Sequence, residues 1–368
     1  MHTSDWHIGR SFHGNSTLPA LRGVLEALTA QVREHAVDVV IVAGDVFDSA
    51  APAADCYTLL TDTLVGLRDA GARVVVTSGN HDSAARLGFQ ARLLREGIHV
   101  LTDAAAVGTP VTIDDADGPV HFYGIPFLEP ALVRTIWPGV RTQEQALGHA
   151  MEVVRADAAA RGGRSVAIAH CFAAGVDPTP HLERDIQQGG LDVVPLAHFD
   201  GPDYVALGHI HGRQRLSDRV RYAGAPLHYS FGEQGKPRGS WLVELDADGL
   251  ADVEWVELPV PRPLKTLHDT FEALLTDPAY AEYETAWVCA EYTDATPQLE
   301  PMRRLQARFP HCAAVVHAPS AARRHARSDA ELFEAFLEHV REGEGATERE
   351  RELIRDTVEE RSLAEASA

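Results

Sequence analysis

The chain has 368 residues and a mass of 40.0 kDa, enough for a large core with a smaller unit beside it. Hydrophobic residues make up 45% and charged residues 24%, which excludes a disordered chain. A formal charge of −21 argues against unaided tight binding to nucleic acid, because phosphate contacts need a local excess of arginine and lysine. A bound metal pair or a basic partner protein would reverse the local potential where it matters. Cys56, Cys171, Cys289 and Cys312 are far apart, which argues against a disulfide framework and a thiolate zinc site and fits a reducing cytoplasm. The chain shows no basic leader followed by an apolar run and no apolar stretch of roughly 18 residues, so neither export nor membrane spanning is expected.

Apolar runs that end in polar punctuation recur through the first two thirds, each with the length and β-branched content of a buried strand. "DVVIVA" stops at Gly44 and Asp45, and "ARVVVTS" stops at Gly79, Asn80, His81 and Asp82. "SVAIA" stops at His170, and "DYVAL" stops at Gly208, His209, Ile210 and His211. Helical patterns lie between them over 19–35, over 55–70 with Gly71 as a stop, and over 143–160 ahead of Gly162 and Gly163. This alternation predicts an α/β domain. "VRYAG", "SWLVELD" and "VEWVELPV" read as strands that close the first domain near Leu258, and Pro259, Pro261 and Pro263 mark a linker. From Leu264 to about Pro319 the order helix, strand "TAWVCAEY", helix "PQLEPMRRLQARF" and strand "CAAVVHA" predicts a small second α/β unit. After the basic run "AARRHAR", Ser328 with Glu331 and Thr347 with Glu350 form capping-box patterns ahead of apolar stripes, so the tail reads as two amphipathic helices. The expected division is 1–258, 259–321 and 322–368.

In open α/β sheets functional groups gather beyond the carboxyl ends of the strands. Asp5 and His7 follow a short first strand, and Asp45, Asn80, His81, His170, His209 and His211 follow four others. Carboxylate, amide oxygen and imidazole donors without thiolate suit Mn, Fe or Zn better than a structural zinc knot. A spacing of two residues puts Asp5 with His7, and His209 with His211, on one side of an extended segment. Gly44, Gly79 and Gly208 permit a tight turn and a close approach to the main chain.

"TSDWHIGR", "GDVFD", "SGNHD", a lone His170 after a strand, and "LGHIHG" together resemble the ordered motifs of the calcineurin-like metallophosphoesterases. More narrowly, "DSAAPAA", "YGIPF", "FDGPDYVALGHIHG" and "YAGAPLHYSFGE" are similar to the SbcD-type nuclease subunits of bacterial SbcCD complexes. The likeness covers the first 260 residues densely and the rest by arrangement. It implies two mixed sheets flanked by helices, a small α/β capping domain and C-terminal helices. It further implies that Asp5, His7 and His211 hold one metal, that Asn80, His170 and His209 hold the other, and that Asp45 bridges them. His81 matches the histidine that contacts the scissile phosphate and donates a proton to the departing oxygen. The implied activity is manganese-dependent DNA cleavage, exonucleolytic on duplex ends and endonucleolytic on hairpins, in DNA repair and recombination. The implied partners are DNA and the SbcC ATPase, reached through the apolar stripe around Phe333, Phe336 and Leu337, with a homodimer inside a heterotetramer.

Three departures stand out. Only Met1 and His2 precede Thr3, which leaves the first strand short and reads as either a misplaced start or a frayed strand. Asp48 stands where archaeal and eukaryotic relatives place a histidine, and Ala223 and Ala225 replace serines in the "YSGSP" stretch. Other readings compete. Asp5 and His7 taken alone suit a surface turn, and Asn80 and Asp82 suit turn formation. Asp48 reads as a loop acid supporting the ligands, and Asp82 and Arg10 as supporting or substrate-facing groups. Arg10, Arg213, Arg215 and Arg238 are candidate phosphate contacts or solvated arginines, while His13, His121, His181, His198, His228 and His317 read as structural or surface residues. Within catalysis the alternative is a small-substrate phosphoesterase, and outside it a non-catalytic DNA-end scaffold.

Overall fold

The computed structural model describes residues 1–94, 97–175, 193–319, 337, 341, 345–351 and 353. Twelve strands build two six-stranded sheets. In chain order they are β1 (His2–Thr3), β2 (Val39–Ala43), β3 (Arg73–Thr77), β4 (Ile98–Leu101), β5 (Val111–Asp115) and β6 (Gly118–Gly124). The remaining six are β7 (Arg164–His170), β8 (Tyr204–Gly208), β9 (Gln214–Arg215), β10 (Val220–Tyr222), β11 (Gly239–Asp246) and β12 (Gly249–Glu257). The first sheet has the order β12-β11-β1-β2-β3-β4 and the second β9-β10-β8-β7-β6-β5, each mixing parallel and antiparallel neighbours.

Period-two alternation explains the layering. On β2, Ile41 and Ala43 join Val166 and Ile168 of β7 in the apolar layer between the sheets. Val40 and Val42 face the other way, against Leu21, Val24 and Leu28 of helix α1 (Leu18–Glu34) and Leu59 of α2 (Ala54–Asp69). Ala167 and Ala169 pack likewise on Leu147, Met151 and Val154 of α3 (Gln143–Arg161). The result is a helix, sheet, sheet, helix sandwich. The parallel strands β1, β2 and β3 of one sheet and β7 and β8 of the other bring their carboxyl ends to one region.

Strand β1 is short but not frayed. It pairs with β11 on one side and β2 on the other. His2 is fully buried, its Nδ1 2.9 Å from the Tyr204 hydroxyl and its Nε2 3.1 Å from the Leu207 carbonyl. Strands β4, β5 and β6 carry no clean apolar run, and sequence reading missed them. β4 and β5 are sheet edges, where few side chains are fully buried.

The segment after the proline linker differs from expectation at its start. Leu264–Asp269 is a strand, β13, not part of a helix, and it runs parallel to β14 (Trp287–Tyr292), which in turn runs parallel to β15 (Cys312–His317). Leu264 and Leu267 are three apart and both buried, a spacing that mimics a helical face. The helix proper, α4 (Phe271–Thr276), begins after Thr270, whose hydroxyl accepts from the Ala273 amide. The expected second helix shrinks to α5 (Pro301–Gln306), because Pro301 is tolerated only in a first helical turn. Phe12 meets Trp287 at 5.4 Å between ring centroids, and the Thr266 amide donates to Gln234 Oε1 at 2.7 Å, so the small sheet is tied to the large domain.

Most of the tail reading, including Ser328, Glu331, Phe333 and Phe336, lies outside the described residues, as does His181. At the second capping pattern, the Thr347 amide and hydroxyl both donate to Glu350 Oε2 at 2.8 Å.

Candidate metal centre

Four of the expected donors sit on loops with left-handed backbone. Asp5 has φ 53°, His7 46°, Asp45 48° and His209 109°, values a non-glycine residue adopts at a cost of about 1–3 kcal/mol each. Interlocking bonds hold them. The Asp5 amide donates to Gly44 O at 3.1 Å and the His7 amide to Asp45 O at 2.9 Å, while the His209 amide donates to Asp5 Oδ1 and the His81 amide to Asp45 Oδ1, both at 2.9 Å. The glycines are required by space. A Cβ on Gly79 would lie 2.1 Å from Asp45 Oδ1, one on Gly208 1.8 Å from Ala43 O, and one on Gly44 2.4 Å from His170 Nδ1. Only Gly44 of the three also needs a positive φ, 79°.

The structure brings all seven expected donors together. Asp5, His7 and His211 each offer an atom within 4.8 Å of the others, as do Asp5, Asp45 and His170. Asp45 Oδ2 stands between the two histidines, 3.5 Å from His7 Nε2 and 3.3 Å from His170 Nε2. Asn80 Oδ1 lies 3.0 Å from both His170 Nε2 and His209 Nδ1.

These contacts make poor sense as a closed hydrogen-bond network. His170 Nδ1 faces the Ala43 carbonyl at 2.9 Å and carries a proton there, so its Nε2 can meet the Asn80 and Asp45 oxygens only by taking up a second proton or by giving its lone pair to a cation between them. His7 Nδ1 faces Asp48 Oδ1 at 3.2 Å and His211 Nδ1 faces Glu233 Oε1 at 3.8 Å, while their Nε2 atoms confront each other at 3.0 Å. Lone pairs converging on one buried space call for a cation, so the residues fit a metal site.

Ionisation agrees. Burial pushes His7 down to about 4 and His209 down to about 3, keeping both imidazoles neutral as ligands must be. Burial also raises Asp5. Asp45 goes the other way: burial opposes its ionisation, but His170 and His7 hold it well below the usual carboxylate range. Burial works against a charged His170 too, yet the Asp45 carboxylate raises it to about 9, so without a metal a proton supplies the positive charge the acids demand.

The surrounding groups sort by contact. His81 belongs to neither of these donor groups, although with His7 and Asp48 it forms a third whose atoms lie within 4.8 Å of one another. Its Nδ1 faces the Asp48 carbonyl at 3.0 Å and its side chain is 39% exposed at the mouth of the site. Asp48 Oδ1 also lies 3.1 Å from Arg10 Nη1, and the Arg10 guanidinium lies over the Tyr229 ring. Asp82 is a clasp: Oδ2 accepts from the Val46 and Gly79 amides and Oδ1 from the Phe47 amide, stitching the "GDVFD" and "GNHD" loops together. Burial and the nearby Asp45 raise its carboxyl to about 6.

One reading needs correction. Arg238 is 2% exposed and pairs with Glu233 at 2.9 Å, so it is no phosphate contact. Arg213 lies over Trp255 and Trp241, and Arg215 pairs with Asp218. Sequence reading missed Glu233, which is fully buried behind His211. Its only signal was an acid inside "YSFGE", where a charge is costly to bury.

The Calcineurin-like phosphoesterase family matches residues 1–213, more than half the chain, and the family described as Type 5 capsule protein repressor C-terminal domain matches residues 260–341. The SbcD component of the SbcCD nuclease of Escherichia coli K12 is 34% identical over 281 residues, covering 73% of this chain and 70% of that one. Its counterpart in Escherichia coli O157:H7 gives the same values. A crystal structure of a Thermus thermophilus protein covers 64% of this chain and 92% of its own at 14% identity and a TM-score of 0.37, too distant to carry an argument. Family match and relative agree, and the chain belongs to the calcineurin-like phosphoesterases as a homologue of the SbcD nuclease component of SbcCD.

Proposed function

We propose that the protein is a two-metal DNA phosphodiesterase in which Asp5, His7 and His211 hold one ion and Asn80, His170 and His209 the other, with Asp45 shared. The observation that carries this reading is the position of Asp45 Oδ2 between His7 Nε2 and His170 Nε2, at 3.5 and 3.3 Å. The oxygen and imidazole donor set suits manganese, iron or zinc, and the family resemblance favours manganese. When bound, such a pair supplies Lewis acidity toward a phosphodiester and lowers the pKa of water. The chain's own groups do the rest. Asp45 fixes the spacing of the two donor sets, and the clasp of Asp82 fixes the loops that carry Asp45 and Asn80. His81 is anchored through Nδ1 on the Asp48 carbonyl at the mouth of the site, with its side chain 39% exposed. Protonated, it contacts phosphate and delivers a proton to the leaving oxygen.

A nuclease activity and assembly in an SbcCD complex rest on the name of the Escherichia coli relative, while DNA as the substrate and an ATPase as the partner rest on the family resemblance of the motifs. The unit at 259–321 is assigned as a cap that shapes DNA access, and 322–368 as the segment that docks on the ATPase, with a homodimer at the centre of the assembly. Manganese-dependent digestion of end-labelled duplex and hairpin DNA, set beside p-nitrophenyl phosphate, tests the activity. DNA cleavage abolished by EDTA, with slow monoester turnover, is expected. Rapid monoester turnover without DNA cleavage would make the protein a small-substrate phosphoesterase, and two bound ions without any turnover would make it a scaffold. Deleting residues 328–368 should abolish capture of the ATPase while leaving manganese uptake unchanged, and a persisting complex would refute the docking assignment.

A further inference from the structure

We propose that Glu233, fixed by Arg238, is the positioning residue for His211, holding its imidazole as the Nδ1–H tautomer so that the Nε2 lone pair points at the space shared with His7. This rests on the two-metal reading above and extends it to a pair that no ligand set includes. Glu233 is 0% exposed and Arg238 2%, and they form an ion pair at 2.9 Å between Oε2 and Nη2. Removing two charges from water costs several kcal/mol per ion, often more than their attraction returns, so such a pair is a weak device for stability. Its placement shows what it does instead. Arg238 Nη1 donates to the His211 carbonyl at 2.5 Å and to the Ala225 carbonyl at 3.2 Å, so the guanidinium grips the backbone that carries the ligand.

Glu233 Oε1 accepts from the Tyr229 amide at 3.3 Å and faces His211 Nδ1, a buried nitrogen with no hydrogen bond of its own, at 3.8 Å. A carboxylate is only an acceptor, so its field permits one tautomer, with the proton on Nδ1. The Nε2 atom is then a bare lone pair 3.0 Å from His7 Nε2. His7 is arranged in the same way from the other side by Asp48, 3.2 Å from its Nδ1.

The test uses the full chain and manganese alone. Electron paramagnetic resonance titration of the wild type should show two bound ions. Glu233→Gln, whose amide tolerates either tautomer, should weaken one of the two by roughly 10- to 100-fold, with the other unchanged. Glu233→Gln combined with Arg238→Met removes both buried charges and should show the same selective loss. Wild-type affinity for both ions in either folded variant overturns the proposal. The tautomer is read independently of any variant's folding, from imidazole nitrogen shifts of the metal-free wild type: Nδ1–H at His211 supports the assignment and Nε2–H overturns it. A wild type that takes up no manganese would instead overturn the two-metal reading on which the proposal rests, a result the metal-free nitrogen shifts keep separate.

Discussion

His81 and the seven donors differ in one physical respect that decides how each should respond to mutation. The donors converge around Asp45, whereas His81 stands at the mouth of that space, its amide on Asp45 Oδ1, its ring edge-on to His7 and its Nδ1 on the Asp48 carbonyl. His81→Ala should therefore leave two manganese ions bound, by paramagnetic titration, while DNA cleavage falls by about 10²- to 10⁴-fold, the usual worth of one positioned proton donor. Undiminished cleavage would remove His81 from the mechanism. At this scale the sequence was informative where chemistry is written in spacing. Asp5 and His7, Asn80 and His81, and His209 and His211 announce themselves beside glycines at strand ends. Asp82 was legible as a supporting acid but not as a clasp on three amides, and Glu233 escaped altogether, because both contacts depend on chain segments that meet only after folding. Arg238 misled for a related reason: arginine is nearly always at the surface, and only the buried Glu233 explains its exception.

Among the elements, the buried strands were legible and the edges were not. β2, β3, β7 and β8 are β-branched or small and apolar on both faces, since helices cover one side and the opposite sheet the other. β13 escaped notice because its two buried leucines are three apart. That strand matters for how the small sheet is held. Trp287 at the start of β14 packs edge-on against His311, meets Phe12 of the large domain and lies under the Arg262 guanidinium, next to the Thr266 to Gln234 bond. Trp287 is half-buried, so its truncation should cost about 2 kcal/mol, less than a full core tryptophan. Trp287→Ala should therefore speed proteolysis in the proline linker at 259–263 while manganese uptake stays at the wild-type level. An unchanged cleavage rate would mean that the small sheet is held by other contacts.

For the whole molecule, the sandwich imposes a pH dependence that its net charge of −21 does not reveal. His2 is held down to about 3 by burial, and His7 and His209 are likewise kept neutral at about 4 and about 3. Each takes up a proton near its ordinary value of about 6.5 once the chain unfolds. Between those limits the unfolded state binds more protons than the native one, so stability present above about 6.5 is lost as pH falls. His170 has the opposite sign. Raised to about 9 by Asp45, it adds stability that is complete below about 6.5 and lost as pH rises toward 9. These four histidines thus favour a metal-free stability maximum near the ordinary histidine range. Manganese should move it upward, because an ion takes the place of the His170 proton and competes with protons for His7 and His209. His2 allows the claim to be isolated, because it bonds to Tyr204 and Leu207 and offers no donor to the metal space. Urea unfolding of the wild type and of His2→Gln in EDTA should give a difference that grows toward high pH with a slope of about 1.4 kcal/mol per pH unit between about pH 5 and 6. A difference independent of pH would show that His2 is not kept neutral by the fold, and the burial argument for the two metal-facing histidines would lose its best control.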